Sequence, residues 1–311
     1  MNFSLDFFLK IIRKMQILFK FLKLYYEYSN SNFNNNIITS RQYNKIVPKK
    51  IINKKISFNK FYWSKVALEI LKSINLYNGK FFFKNQYVIN HLASDSTFLA
   101  NIIINKVLQH PKSQELLDKC KSSSFGSPFV LKKYPYTSTV TLSHIANLLS
   151  IYSLLRKNIN QYKLFIDFGG GFGGLTSCLL QFSNKAKVYI VDLPTMHKVQ
   201  KKFLIRTTNF IDKVFFYKNV SELKKIKYCI FNASFSFSEI PIKDRVIVED
   251  FIIKNCEKIH IIFHDNFNEI DNNIYMREFL KKLNATGWKA KIKVYDYFAN
   301  KETKVLYGSC N

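Results

Sequence analysis

Proline and glycine are scarce in this 311-residue chain, at 6 and 9 copies, and 47% of its residues are hydrophobic. Collagen-like, mucin-like and wholly disordered chains are excluded, because a sequence of this kind can bury a large core. Cysteine is equally sparse. The 5 cysteines, Cys120, Cys178, Cys229, Cys256 and Cys310, are odd in number and no two share C-x-x-C spacing. Neither a disulfide scaffold nor a zinc ribbon fits, and a reducing cytoplasm is the expected compartment. No uncharged apolar run reaches the roughly 18–20 residues of a spanning helix. The N-terminus looks superficially like a signal peptide, but Lys10, Arg13, Lys14, Lys20 and Lys23 break its apolar stretch and no small-residue cleavage site follows. It reads as a retained segment. Acidic residues are the last shortage. Against 48 Lys+Arg stand 21 Asp+Glu, a formal charge of +27. That balance suits an anionic partner, nucleic acid or a membrane surface. The competing source is codon bias. Arginine occurs only at 13, 41, 156, 206, 245 and 277, and lysine dominates together with Asn, Ile, Phe and Tyr, the residues of A/T-rich codons.

Four segments are expected. Residues 3–28, within a first segment 1–28, have helical apolar spacing at Phe8, Ile11, Ile12, Met15, Leu18, Phe19 and Leu22, with basic residues on the other side. The helix either lies on the inner face of the plasma membrane or docks on the protein itself or on a homodimer partner. Residues 29–60 read as a polar Asn/Lys-rich linker. Residues 61–160 read as a helical cap, a substrate or dimerisation region, with helices near Ser96–Leu108 and Ser138–Arg156. From 161 to 311 the pattern changes. Strand-length apolar runs (Lys163–Phe168, Ala186–Val191, Lys213–Tyr217, Tyr228–Asn232 and Lys258–His264) alternate with helix-length segments. That alternation predicts an α/β domain with a mainly parallel sheet. Trp288–Asp296 and Thr303–Ser309 predict a closing antiparallel hairpin.

The densest signal is Asp167-Phe168-Gly169-Gly170-Gly171-Phe172-Gly173-Gly174-Leu175, between a predicted strand and a predicted helix. Glycines there let the backbone turn sharply and approach a ligand, beside the positive end of a helix. Gly169, Gly171 and Gly174 satisfy G-x-G-x-x-G, a dinucleotide fingerprint, with Asp192 placed for a ribose. Asp167, Gly169, Gly171 and Gly173 satisfy D-x-G-x-G-x-G, the first motif of S-adenosylmethionine-dependent methyltransferases. The second reading is favoured, because a strand-end carboxylate suits a cationic methionine group and because the following segments match a seven-stranded sheet ending in a hairpin. A structural glycine turn is the bland alternative. Asp192 with Leu193 ends the second strand as a ribose partner, or else as a helix N-cap. Asn219, past the third strand, is an adenine partner or an ordinary turn residue.

These residues, with Gly126-Ser127-Pro128, Leu142-Ser143-His144, Tyr189–Pro194 and Phe231–Ile240, resemble the sugar O-methyltransferases of bacterial surface-polysaccharide gene clusters. The resemblance spans about residues 60–311, with departures at Asp167 (commonly Glu), Ser143 (Arg expected) and Ile240 (usually Met). It implies a Rossmann-like class I methyltransferase sheet, S-adenosyl-L-methionine as cofactor, and a sugar hydroxyl of lipopolysaccharide, O-antigen or capsule as acceptor. The residues agree by elimination. Asn232-Ala233-Ser234-Phe235 lacks the prolines of amino-methylating enzymes, and no Pro-Cys pair serves carbon-5 chemistry. Ser234, Ser236, Ser238 and Glu239 suit a carbohydrate, or else two of the serines cap the next helix. A sugar hydroxyl benefits from a general base. His264, Asp265 and Glu239 are the candidates at strand ends, with His144 a further one from the helical half. His260 and His264 share a face but stand about 13 Å apart, too far for a common ion. No metal is expected. An RNA methyltransferase and a non-catalytic cofactor-binding subunit are the alternatives, and nucleic acid is the less expected partner.

Overall fold

The computed structural model describes residues 58–93, 97–131, 134–155, 164–183, 185–223, 226–267, 270–297 and 303–310. The expected helix at 3–28 and nearly all of the linker at 29–60 lie outside them. The chain divides into two compact units, residues 1–55 with 267–270 and residues 56–266 with 271–311. The second unit is described here.

Its seven-stranded sheet is built where apolar runs were expected. The strands are β1 Leu164–Phe168, β2 Lys187–Val191, β3 Val214–Tyr217, β4 Cys229–Ser234, β5 Cys256–His264, β6 Trp288–Val294 and β7 Thr303–Cys310. Spatial order is β6-β7-β5-β4-β1-β2-β3, with β1 to β5 parallel and β7 inserted antiparallel between β5 and β6. That is the class I methyltransferase order. β4 runs two residues beyond the expected Asn232, because Ala233 and Ser234 still pair with Ile261 and Ile262.

Before the sheet come α1 (Phe58–Asn75), α2 (Gln86–His91), α3 (Thr97–Leu108), α4 (Ser113–Lys119), a short hairpin (Val130–Leu131 with Tyr134–Ser138) and α5 (Thr139–Leu155). Within it lie α6 (Gly174–Phe182), α7 (Pro194–Thr207), the one-turn α8 (Ser236–Glu239), α9 (Ile242–Asn255) and α10 (Asn272–Ala285). Pro194 opens α7 at the first helical position, where a missing N–H costs nothing. Among the described residues no helix is long and apolar enough to cross a membrane.

Strand alternation divides the core in two. Phe165, Val188, Ile190 and Ile230 face α5, α6 and α7, whereas Ile166, Phe168, Val191 and Phe231 face α9 and α10. α5 is buried along most of its length, with Leu142, Ile145, Leu148 and Leu149 fully enclosed.

A polar row crosses the α5 side of this core. Asp167, Asn232 and His260 are neighbours in register on β1, β4 and β5. Ser150 of α5 lies 2.9 Å from His260 Nε2, and His260 Nδ1 lies 3.0 Å from Asn232 Oδ1. Asn232 Nδ2 donates to Asp167 Oδ1 at 3.3 Å, and Thr176 donates to Asp167 Oδ2 at 2.9 Å. One tautomer satisfies the whole row, with Ser150 donating to Nε2 and Nδ1–H donating to Asn232. Burial pushes His260 down to about 3, so its ring is neutral as this tautomer requires. Every donor then points toward the carboxyl group of Asp167. A second link ties α5 to the same region, with Tyr295 donating to Asn147 at 2.7 Å and Asn147 donating to Ser234 at 3.0 Å.

Replacing His260 by Leu leaves the Asn232 carbonyl and the Ser150 hydroxyl unmatched in a dry interior. Urea denaturation should show a loss of about 1–3 kcal/mol. Asn219→Ala, at an exposed turn, should stay within about 0.5 kcal/mol of the parent.

Candidate active site

The carboxyl ends of β1, β2, β4 and β5 bring most of the expected residues to one edge. The loop after β1 holds its shape through Gly169 N–H to Val191 O and Gly173 N–H to Gly170 O, both 2.8 Å. Gly169, Gly171 and Gly173 have φ of 67°, 56° and 96°, the left-handed region that favours glycine.

The surroundings of the glycines differ. A Cβ on Gly169 would fall 2.2 Å from Ser236 Cβ, and one on Gly174 would fall 2.1 Å from His144 Nε2. Those two are glycine because the protein itself packs there. At Gly171 a Cβ would meet only Leu92, at 3.6 Å, so this is the open position of the loop.

Asp167 points inward and is 2% exposed. Burial pushes its carboxyl up to about 6 against the pull of Thr176 and Asn232. It braces the loop from beneath. Asp192 stands at the loop's other flank, partly open to solvent. Its Oδ1 accepts the Leu193 N–H at 2.7 Å, and its Oδ2 accepts Gln200 Nε2 at 2.7 Å. Gln200 also donates to Gly171 O at 2.9 Å, and its buried Oε1 has no partner. Desolvation pushes Asp192 up to about 7, opposed by those hydrogen bonds. Gln200 was not singled out from the sequence. The signal was its place on α7, two helical turns from the N-terminal end that Asp192 precedes. Leu193 is the N-cap residue of α7 without a side-chain bond, so Asp192 is not that cap. Asn219 is exposed and donates to Glu222 at 3.2 Å.

The other half of the edge follows β4 and β5. Phe235 has φ 71°, a left-handed turn by a bulky residue, pinned by its N–H to Ile262 O at 2.8 Å. Its ring stacks on His264 with centroids 4.2 Å apart. Ser234 accepts from Asn147, Ser236 donates to Phe168 O, and Ser238 donates to Phe235 O at 2.6 Å. All three hydroxyls are thus engaged by protein, and no side chain caps α8. Asp265 pairs with Lys304 at 2.8 Å. Glu239 is mostly buried, and desolvation raises it to about 7 against the nearby charge of Arg245. His144 lies against the start of α6, edge-on to Phe172 at 5.4 Å, with Nε2 buried and unpartnered. Burial lowers it to about 4. Its position behind the glycine loop separates it from the edge that carries Glu239 and His264.

The helical cap adds residues that the sequence did not mark. Tyr62, Trp63 and His91 form an edge-to-face cluster with centroids 5.7–5.9 Å apart, and the Tyr62 hydroxyl is 3.4 Å from His91 Nε2. Tyr62 is pushed up to about 12, first by burial and then by the charge of Glu239. Leu92, the residue after α2, thus lies against the glycine loop, while the aromatic cluster lies within electrostatic reach of Glu239.

No protein-family model matches the chain, and no curated protein matches it. Solved structures do. The mitomycin 7-O-methyltransferase MmcR is 12% identical with a TM-score of 0.41, covering 80% of this chain and 68% of that one. An O-methyltransferase family protein from Burkholderia thailandensis is 13% identical at 0.41, covering 73% and 76%. Magnesium protoporphyrin IX methyltransferase (ChlM) from Synechocystis PCC 6803, with bound SAM, is 13% identical at 0.42, covering 68% and 97%. At such scores the likeness adds nothing to the strand order, on which the fold rests. Among the described residues no group of three or more His, Cys, Asp or Glu is placed to hold a metal ion.

Three carboxyls of the edge, Asp167, Asp192 and Glu239, are raised toward 6–7 from unfolded values near 4. A raised carboxyl binds its proton more tightly when folded. Its contribution is full below about pH 4 and is lost as pH rises through 6–7. Urea midpoints of the ligand-free chain, as set by these groups, should fall between pH 5 and pH 8. Asp192→Asn should flatten that fall. An unchanged slope in the variant would place the titration elsewhere.

Proposed function

We propose that the chain is an S-adenosyl-L-methionine-dependent methyltransferase acting on a sugar hydroxyl in surface-glycan synthesis. The observation that carries the methyltransferase reading is the strand order with its one antiparallel insertion, with the glycine loop at the end of β1 and Asp192 at the end of β2. The residues present fit the cofactor. Gly171 leaves open space, and Asp192 offers a partly accessible carboxylate for vicinal hydroxyls. When bound, this cofactor supplies an electrophilic methyl group on a sulfonium.

The chain supplies alignment and proton management. Gln200 and the Leu193 N–H hold the Asp192 carboxylate in one orientation, while Asp167 braces the loop from beneath. Glu239 is the best base among the three candidates. Asp265 is committed to Lys304, and the imidazole of His264 is stacked on Phe235. A carboxyl raised toward 7 by burial is more basic than an ordinary carboxylate, and so better suited to take the proton of an acceptor hydroxyl. His264 then borders the acceptor through its ring, stacked on Phe235.

Support for a sugar is the resemblance around Phe231–Ile240 and the aromatic cluster of the cap, whose rings can stack on a pyranose face. A cytoplasmic site, with lipid-linked or nucleotide-linked glycan as acceptor, follows from the same reading. The charge of +27 favours the RNA alternative, which micromolar or tighter, salt-sensitive RNA binding would support.

Calorimetry should show micromolar binding of S-adenosylmethionine, weakened at least about tenfold, or about 1.4 kcal/mol, by Asp192→Ala. Tighter binding of NAD would overturn the cofactor. Deletion of the gene should remove one O-methyl group from the surface glycans, read by mass and NMR analysis. Restoration by the parent gene but not by Glu239→Gln would support the base.

A further inference from the structure

Only six arginines occur among 48 basic residues, and Arg245 is 0% exposed. A buried cation is expensive unless its donors are satisfied. Here three nitrogens work in three directions. Nε donates to Ile240 O at 2.9 Å, Nη2 donates to Ser238 O, and Nη1 donates to Asn272 Oδ1 at 2.9 Å. The guanidinium lies over the Tyr275 ring, 4.7 Å from its centroid. The two carbonyls bracket Glu239 in the chain.

Asn272, also 0% exposed, carries the constraint onward. Its Nδ2 donates to His264 O at 3.0 Å and its backbone N–H donates to Asp265 O at 2.8 Å. Arg245 and Asn272 together thus tie the segment after β4 to the segment after β5. Lysine cannot replace the arginine. An ammonium is a point charge without the planar fork that reaches three acceptors at fixed angles. In a chain whose positive charge is nearly all lysine, a buried arginine marks a place where that fork is needed.

We propose that Arg245, acting through Asn272, is the positioning residue of the acceptor site. It fixes Glu239 relative to His264, so that the proton acceptor and the wall of the acceptor pocket are held as one unit. This rests on the reading of that edge as the acceptor site. Arg245 has a second effect, because its charge draws the Glu239 carboxyl downward while burial pushes it up. Among the described residues, Tyr62 also couples electrostatically to Glu239.

Hydrogen exchange of the full chain tests the clamp without any acceptor. In Arg245→Lys, and separately in Asn272→Ala, amides in 234–240 and in 264–272 should exchange at least about tenfold faster. Those in 164–176 should stay within about twofold, and calorimetric affinity for S-adenosylmethionine should also hold within about twofold. Loosening of only one segment, or full protection in the lysine variant, would overturn the proposal. If Arg245→Lys loosens the whole molecule, Asn272→Ala decides, and uniform loosening there too would overturn it.

Methyl transfer is then read with radiolabelled S-adenosylmethionine on glycan extracted from the deletion strain. Arg245→Lys should lower kcat at least about tenfold with little change in cofactor KM. Arg245→Gln should move the acid limb of the pH profile upward. A downward or unmoved limb would overturn the electrostatic part. No incorporation by the parent enzyme would count against the sugar reading, while the exchange data would still decide the clamp.

Discussion

The polar row from Ser150 to Asp167 is the constraint on which the architecture of this unit turns. Three strands must pair in one register for Asp167, Asn232 and His260 to line up, and α5 must cross at the height of His260 for Ser150 to reach it. A one-residue slip of any strand would send its polar side chain into the opposite apolar face. The row therefore selects the register, because a misplaced Asn or His would be buried without partners. It also sets the height of the glycine loop, since Asp167 precedes it by two residues and Thr176 follows on α6.

From that base the site is assembled in two halves by different means. The half around the glycine loop and Asp192 is held by hydrogen bonds from neutral donors, namely Thr176, Asn232, Gln200 and the Leu193 N–H. The half after β4 and β5 is held by rings and a buried cation, with Phe235 at positive φ, His264 stacked on it, and Arg245 bonded to the Ser238 and Ile240 carbonyls. A bulky residue at positive φ costs free energy, of order 1–3 kcal/mol, and persists only where its surroundings over-determine it. The Ile262 carbonyl, the His264 ring and the Ser238 hydroxyl do so here.

Much of the sheet was legible in the residues. Apolar runs of strand length located all seven strands to within two residues at nearly every end, because burial on both faces leaves little room for polar positions. The glycine loop and Asp192 were legible too, since positive φ and a strand-end carboxylate are demands on residue type. Roles that depend on distant partners were not. Nothing near Asp265 in sequence announces Lys304, which reaches it through the antiparallel pairing of β7 with β5. Ser234, Ser236 and Ser238 look like free hydroxyls until Asn147, the Phe168 carbonyl and the turn at Phe235 engage them. Gly169 and Gly174 have a further reason to be glycine that the sequence did not show, since Ser236 and His144 fill the space above them. Tyr62 and His91 carry no local pattern, because their meaning comes from where the cap lies.

The charge distribution of the site runs against that of the chain. With a formal charge of +27, a lysine beside every carboxyl would be the cheap arrangement, and Asp265 and Glu249 have one each. Asp167 and Asp192 have none in hydrogen-bond contact, and Glu239 feels Arg245 chiefly as a neighbouring charge. Burial is the largest influence on each, which is why all three carboxyls rise instead of falling. The three carboxyls at the carboxyl ends of β1, β2 and β4 thus share one property, a proton affinity raised by burial.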